Sequence, residues 1–145
     1  MVARTQVFVV DASVAVKWYV EEEHREQALE LRQDYYDGKV TLRSHALILY
    51  EVANALRYHP GLSADDVLNS LTSLLDMQLD LFQPTENAAK EIVDLAFNED
   101  LTVYDAAYLA LARLSAARLL TADETLYNKL GPEAKALVLL LKDYR

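Results

Sequence analysis

"VFVVDASVAVKW", residues 7–18, decides the fold. Four apolar residues, Val7 to Val10, run straight into Asp11, and Ala12 to Trp18 is apolar again apart from Ser13 and Lys17. Apolar residues without alternation predict a strand covered on both faces, the usual state of a strand inside a parallel sheet. The aspartate at its exit is the anomaly. A charge taken out of water is costly unless something compensates for it, so the surroundings of Asp11 become the question.

Outward from this stretch the same pattern recurs. Strands are predicted over Gln6–Val10, Lys39–Leu42, Leu79–Phe82, Arg118–Thr121 and Leu137–Leu141; the last run, "ALVLLL", reads equally as a helix end. Helical patterns lie between them. "EHREQALELRQDYYDG" is amphipathic and stops at Gly38, "HALILYEVANALRYHPG" ends at Pro60-Gly61, and "SADDVLNSLTSLLDM" starts with a cap at Ser63. "TENAAKEIVDLAFNED" and "TVYDAAYLALARLSAA" follow, then a shorter segment from Glu124 to Leu130. Strands separated by helices imply right-handed crossovers and a three-layer α/β domain with a central parallel sheet. With 145 residues, three Gly, three Pro and no internal repeat, the chain reads as one domain over 1–145.

Composition narrows the function classes. No apolar run is long enough to span a bilayer and the N-terminus lacks a secretory pattern, so a cytoplasmic protein with no membrane partner is expected. The absence of Cys excludes disulfides and thiolate metal sites. Fourteen basic residues stand against 23 acidic ones, a net charge of −9, which weighs against a passive nucleic-acid binder. It does not weigh against an enzyme that meets phosphates through a bound cation.

Ligands of open parallel sheets gather beyond the carboxyl ends of the strands. Asp11 leaves the first strand there, and Asp123 in "RLLTADETL" leaves another apolar strand in the same way. Their acids meet if those strands are neighbours. Glu51 sits among Leu47, Ile48, Val52, Ala55 and Leu56, sharing a helix face with Leu47 and Asn54. Asp105 occupies the first turn of the apolar helix "LTVYDAAYLALA". Each acid also has a structural reading. Asp105 follows Thr102 at capping-box spacing, as Asp66 follows Ser63; Asp123 suits the cap of the next helix; Glu51 suits a buried pair with Arg57 or Arg113. Four carboxylates drawn together repel and raise one another's pKa values, a conflict that a hard divalent cation such as Mg²⁺ or Mn²⁺ resolves. Such an ion activates water for attack on phosphorus.

"VVDASVAVKW", "YEVANAL", "LTVYDAAYLALA" and "LLTADETL", in this order and spacing, resemble the PIN-domain nucleases, and within them the VapC-like toxins of toxin–antitoxin pairs. The resemblance covers about Val7 to Leu140, and "TVYDAAYLALA" is its most specific part. It implies a PIN-like three-layer α/β/α domain whose five strands run third, second, first, fourth, fifth across the sheet. It also implies Mg²⁺- or Mn²⁺-dependent endoribonuclease activity, a homodimer, and a cognate antitoxin whose tail covers the acidic site. By motif, Asp11, Glu51, Asp105 and Asp123 take the family's catalytic and metal-holding positions. Ser13 and Thr121 take hydroxyl positions that support the acids, and Asn54 a polar position one turn past Glu51. One position departs: where many relatives carry a further acid two residues after the fourth aspartate, this chain has Thr125, which leaves the number of metal ions open.

The histidines, His24, His45 and His59, share no ligand spacing on one element, which argues against zinc. Trp18, Tyr50 and Tyr108 lie in apolar patterns that suit a core or a dimer contact, and no residue stands out as a dedicated general acid. A haloacid-dehalogenase-like phosphatase needs a second Asp where Ser13 stands, and a phospho-receiver domain needs an acidic pair where there is only Asp11. A catalytically silent, partner-binding scaffold of the same fold is the remaining alternative.

Overall fold

The computed structural model describes residues 5–145. β1 (Gln6–Val10) leads into a short helix α1 (Ala12–Ala15), a 3-10 turn (Val16–Trp18) and α2 (Arg25–Tyr36). Then come β2 (Val40–His45), α3 (Leu47–Arg57), α4 (Ala64–Asp76) and β3 (Asp80–Phe82). The second half holds α5 (Glu86–Asn98), α6 (Val103–Leu114), β4 (Arg118–Thr121), α7 (Glu124–Lys129), α8 (Pro132–Lys135) and β5 (Val138–Leu140). All strand pairs are parallel, in the order β3-β2-β1-β4-β5, and helices flank the sheet in a three-layer α/β/α arrangement. Among the described residues no helix is long and apolar enough to cross a membrane.

The local chemistry explains the elements. Phe8, Val9 and Val10 are buried one after another, as are Leu119, Leu120 and Thr121, so the central strands are covered on both faces. α6 lies across β1, β2 and β4 with its residues Ala106 to Ala112 all buried, and α5 packs against it. The small alanines of α6 let it sit close to the sheet. Trp18 is buried and donates its Nε1–H to the Ala28 carbonyl at 2.8 Å, tying the first crossover to α2. Ser63 and Asp66 form a complete, reciprocal capping box at the start of α4. Gly38, at φ 75°, takes the left-handed turn that closes α2, a conformation that L side chains disfavour.

β2 runs three residues further than its apolar stretch suggests. Arg43, Ser44 and His45 pair with Asp80, Leu81 and Phe82 of β3. The Ser44 hydroxyl donates to the Val10 carbonyl at 2.7 Å, whereas Arg43 Nε lies 3.4 Å from the Asp80 carboxylate as a charge pair without hydrogen-bond geometry. His45, at the end of a strand rather than the start of a helix, is likewise buried. The terminal run "ALVLLL", just past α8, holds the strand β5 and not a helix end, and leads into a 3-10 turn at Leu141–Asp143.

Chain direction across the sheet reverses at β1. β2 and β3 lie to one side of it, β4 and β5 to the other, with Val10 opposite Leu120. Adjacent parallel strands whose crossovers leave in opposite directions open a crevice at their carboxyl ends. Asp11 and the segment Thr121–Asp123 stand at that point.

Candidate metal centre

Asp11 ends β1 and caps α1. Its Oδ1 accepts the Ser13 N–H at 3.1 Å and the Ser13 hydroxyl at 2.5 Å, while Oδ2 accepts the Thr121 hydroxyl at 2.5 Å. The two hydroxyls are themselves held from β4: Ser13 Oγ accepts the Ala122 N–H at 2.9 Å, and Thr121 Oγ1 accepts the Asp123 N–H at 3.2 Å. This ring of bonds joins the exits of the two central strands and compensates for a carboxylate only 7% exposed. Compensation is incomplete. Burial wins over the hydrogen bonds and pushes the Asp11 pKa from 3.8 up to about 6, with the charge on Asp105 adding to the rise. Of the two oxygens, Oδ1 carries the bonds from Ser13 and Oδ2 the bond from Thr121.

The other three acids approach from separate elements. Asp105 stands in the first turn of α6, where Thr102 Oγ1 accepts its N–H at 3.1 Å. Unlike Asp66, its carboxylate does not complete a capping box. The two aspartates at equal spacing therefore differ in state: hydrogen bonds with Ser63 lower the pKa of exposed Asp66, whereas burial and then the charge of Asp123 raise that of Asp105. Glu51, on α3, forms no pair with an arginine among the described residues. Arg113 engages Glu91 at 2.6 Å and Arg57 lies over the Tyr58 ring, while Glu51 Oε1 accepts the Tyr108 hydroxyl at 2.5 Å. Burial raises the Glu51 pKa and Asp105 adds to it, against the lowering effects of Tyr108 and His45. Asp123 does cap α7, with Oδ1 accepting the Leu126 N–H at 3.0 Å.

Asp105 is the common neighbour of the set: its charge acts on Asp11 and on Glu51, and it is itself acted on by Asp123. Among the described residues none of the four enters an ion pair with Lys, Arg or His. Nor do any three His, Cys, Asp or Glu side chains converge enough to clasp a single ion directly. Four like charges without a counter-ion hold apart. Anionic oxygen donors spaced in this way suit a hard, hydrated cation of the Mg²⁺ or Mn²⁺ kind, which keeps several of its waters and takes only one or two carboxylates directly. They do not suit an ion stripped of water inside a protein cage.

Of the remaining candidates, Ser13 and Thr121 lie in the hydrogen-bonded ring around Asp11. Asn54 is exposed. Tyr50 is 74% exposed, not core, and lines an apolar groove of about 460 Å³ with Phe82, Val103 and Tyr104. Tyr108 is buried, as its apolar pattern predicts, but its bond to Glu51 was not legible from periodicity. Its position three residues after Asp105, on the same side of the helix, was the available signal.

Comparison with known proteins follows the same lines. A family model described as PIN domain matches residues 8–130. Ribonuclease VapC3 of Pyrobaculum aerophilum is 37% identical over 125 residues, covering 83% of this chain and 92% of that protein. Among solved structures, PAE2754 from Pyrobaculum aerophilum superposes with a TM-score of 0.66 at 24% identity, over 94% of this chain and 90% of that one. A toxin–antitoxin complex from Klebsiella pneumoniae gives 0.66 at 17% identity, over 94% and 98% of the two chains. VapBC2 from Rickettsia felis, bound to a promoter DNA fragment, gives 0.65 at 13% identity, over 93% and 98%. At these identities the structural likenesses establish the fold.

Proposed function

This chain belongs to the PIN-domain family, and on that premise we propose that it is a Mg²⁺- or Mn²⁺-dependent endoribonuclease, the toxin of a toxin–antitoxin pair. The observation that carries the proposal is the coupling of Asp105 to Asp11, Glu51 and Asp123, four carboxylates none of which is ion-paired among the described residues, next to the crevice between β1 and β4. The 37%-identical relative named as a ribonuclease supports RNA as the substrate. The neighbouring toxin–antitoxin assemblies support a protein antitoxin as the partner.

Asp11, Asp105 and Asp123 would hold the cation directly or through water, and Glu51 would hold it or orient the attacking water. When bound, a divalent cation supplies positive charge to the scissile phosphate and lowers the pKa of a coordinated water. The protein's own work is positional. Ser13 and Thr121 fix the two oxygens of Asp11. The capped start of α6 sets Asp105 at the crevice, and the cap of α7 sets Asp123. With a net charge of −9, the chain itself offers RNA phosphates little attraction, so the cation also provides the local charge that binding needs. We further take the chain as one domain over 1–145 that works in the cytoplasm as a homodimer, with Asn54 at the rim of the site.

The test is cleavage of RNA by the purified chain. The proposal predicts cleavage with Mg²⁺ or Mn²⁺, its loss in EDTA, and its loss in Asp11→Asn with the fold intact. Full activity in EDTA or in Asp11→Asn would overturn it. A partner-binding scaffold without turnover predicts that Asp11→Asn and Asp123→Asn keep their cellular effect.

A further inference from the structure

Tyr108 is 2% exposed, yet its hydroxyl is not idle. A buried tyrosine needs a partner for its O–H, and here that partner is Glu51 Oε1, at 2.5 Å. The ring is fixed by its surroundings. His45 meets it edge-on at 5.8 Å, and the two nitrogens of His45 lie 2.8 Å from the Ala107 carbonyl of α6 and 3.3 Å from the Phe82 carbonyl of β3. The hydroxyl therefore stands at a point set by α6, β2 and β3 together. Glu51, on α3, is a flexible side chain at a half-buried position, held by this bond. Its second oxygen, Oε2, accepts no hydrogen bond from the described residues and is not among the buried atoms lacking a partner, so it remains open to solvent.

We propose that Tyr108 is the positioning residue for Glu51: by occupying Oε1 it fixes the carboxylate so that Oε2 alone faces the cation and the attacking water. This rests on the metal-dependent reading above and deepens it. A phenylalanine would fill the same space, so the contact added by the hydroxyl is the one to Glu51. Hydrogen bonds to metal-ligating carboxylates orient them, and their removal typically costs 10- to 100-fold in affinity or activity.

The experiment uses the full chain, freed of metal, titrated with Mn²⁺ by calorimetry and assayed for RNA cleavage. Tyr108→Phe is expected to weaken Mn²⁺ binding or lower kcat by roughly tenfold to a hundredfold, with KM for RNA unchanged. In a Glu51→Ala background the same change should have no further effect, because the tyrosine acts only through that carboxylate. A purely packing role would give equal losses in both backgrounds, and either that result or wild-type Mn²⁺ affinity and kcat in Tyr108→Phe overturns the proposal. If Glu51→Ala weakens Mn²⁺ binding while Tyr108→Phe does not, only the positioning role falls. A wild-type chain that takes up no Mn²⁺ removes the metal-dependent reading and this role together. Should the phenylalanine variant not fold, proton NMR on the wild type supplies the answer: a slowly exchanging Tyr108 hydroxyl that is lost in Glu51→Ala supports the assignment, and equally fast exchange in both refutes it.

Discussion

Replacing Asp11 by asparagine should make the metal-free protein more stable at neutral pH while destroying its activity. The folded state holds the Asp11 proton more tightly than the unfolded chain does, with a pKa near 6 against 3.8. The stability that a neutral carboxyl confers is therefore complete below pH 3.8 and is lost as pH climbs through about 6. At about 1.4 kcal/mol for each tenfold change in proton affinity, ionising Asp11 in the fold costs about 3 kcal/mol at pH 7.5. Asparagine is neutral and avoids that cost. It cannot accept both hydroxyl donors as a carboxylate does, and weakening one hydrogen bond returns about 1 kcal/mol. The net gain of about 2 kcal/mol corresponds to a Tm about 4–8 °C higher for a chain of this length. Calorimetric melting of both proteins in EDTA at pH 4 and pH 7.5 measures it. The variant should be the more stable at pH 7.5, and at pH 4 the gain should give way to a deficit of at most about 1 kcal/mol, the weakened hydrogen bond alone. An asparagine variant less stable than wild type at both values, with a difference independent of pH, would refute the balance drawn between burial and hydrogen bonding at Asp11.

Further outcomes follow from the same site. Mn²⁺ at a hundred times its Kd should stabilise the wild type by about 2.7 kcal/mol in a thermal shift assay, and Asp11→Asn should show little of that gain. Thr121→Val removes the donor to Asp11 Oδ2 and the acceptor of the Asp123 N–H, so Asp11 should titrate above pH 6 by carbon-13 NMR, and cleavage should fall roughly tenfold. Ser63→Ala opens the capping box of α4 and should lower stability in urea by about 1 kcal/mol with cleavage unchanged; lost cleavage would tie that helix to the site.

Most of the fold was readable because its signals are local. β1 and β4 coincide with their apolar runs, since both faces of a central strand must be apolar. The extension of β2 through Arg43, Ser44 and His45 was not readable, because the groups these side chains meet are distant in sequence: the Asp80 charge, the Val10 carbonyl, and the Phe82 and Ala107 carbonyls. The acids themselves were visible as charges in apolar contexts, but what distinguishes Asp105 from Asp66 was not. Both follow a hydroxyl residue by three positions, and only the neighbouring Asp123 and the burial beneath α6 separate a carboxylate that caps from one that faces a crevice. Likewise the pairing of Glu51 with Tyr108 rather than with an arginine depends on how α3 crosses α6, which no spacing within either helix encodes.

Central to this mechanism is a hydrated cation shared by these carboxylates. Anomalous diffraction from crystals soaked in Mn²⁺ locates that ion directly. The predicted result is a peak at the crevice between β1 and β4, bounded by Asp11, Glu51, Asp105 and Asp123; a crystal saturated with Mn²⁺ whose peaks all lie elsewhere would contradict it.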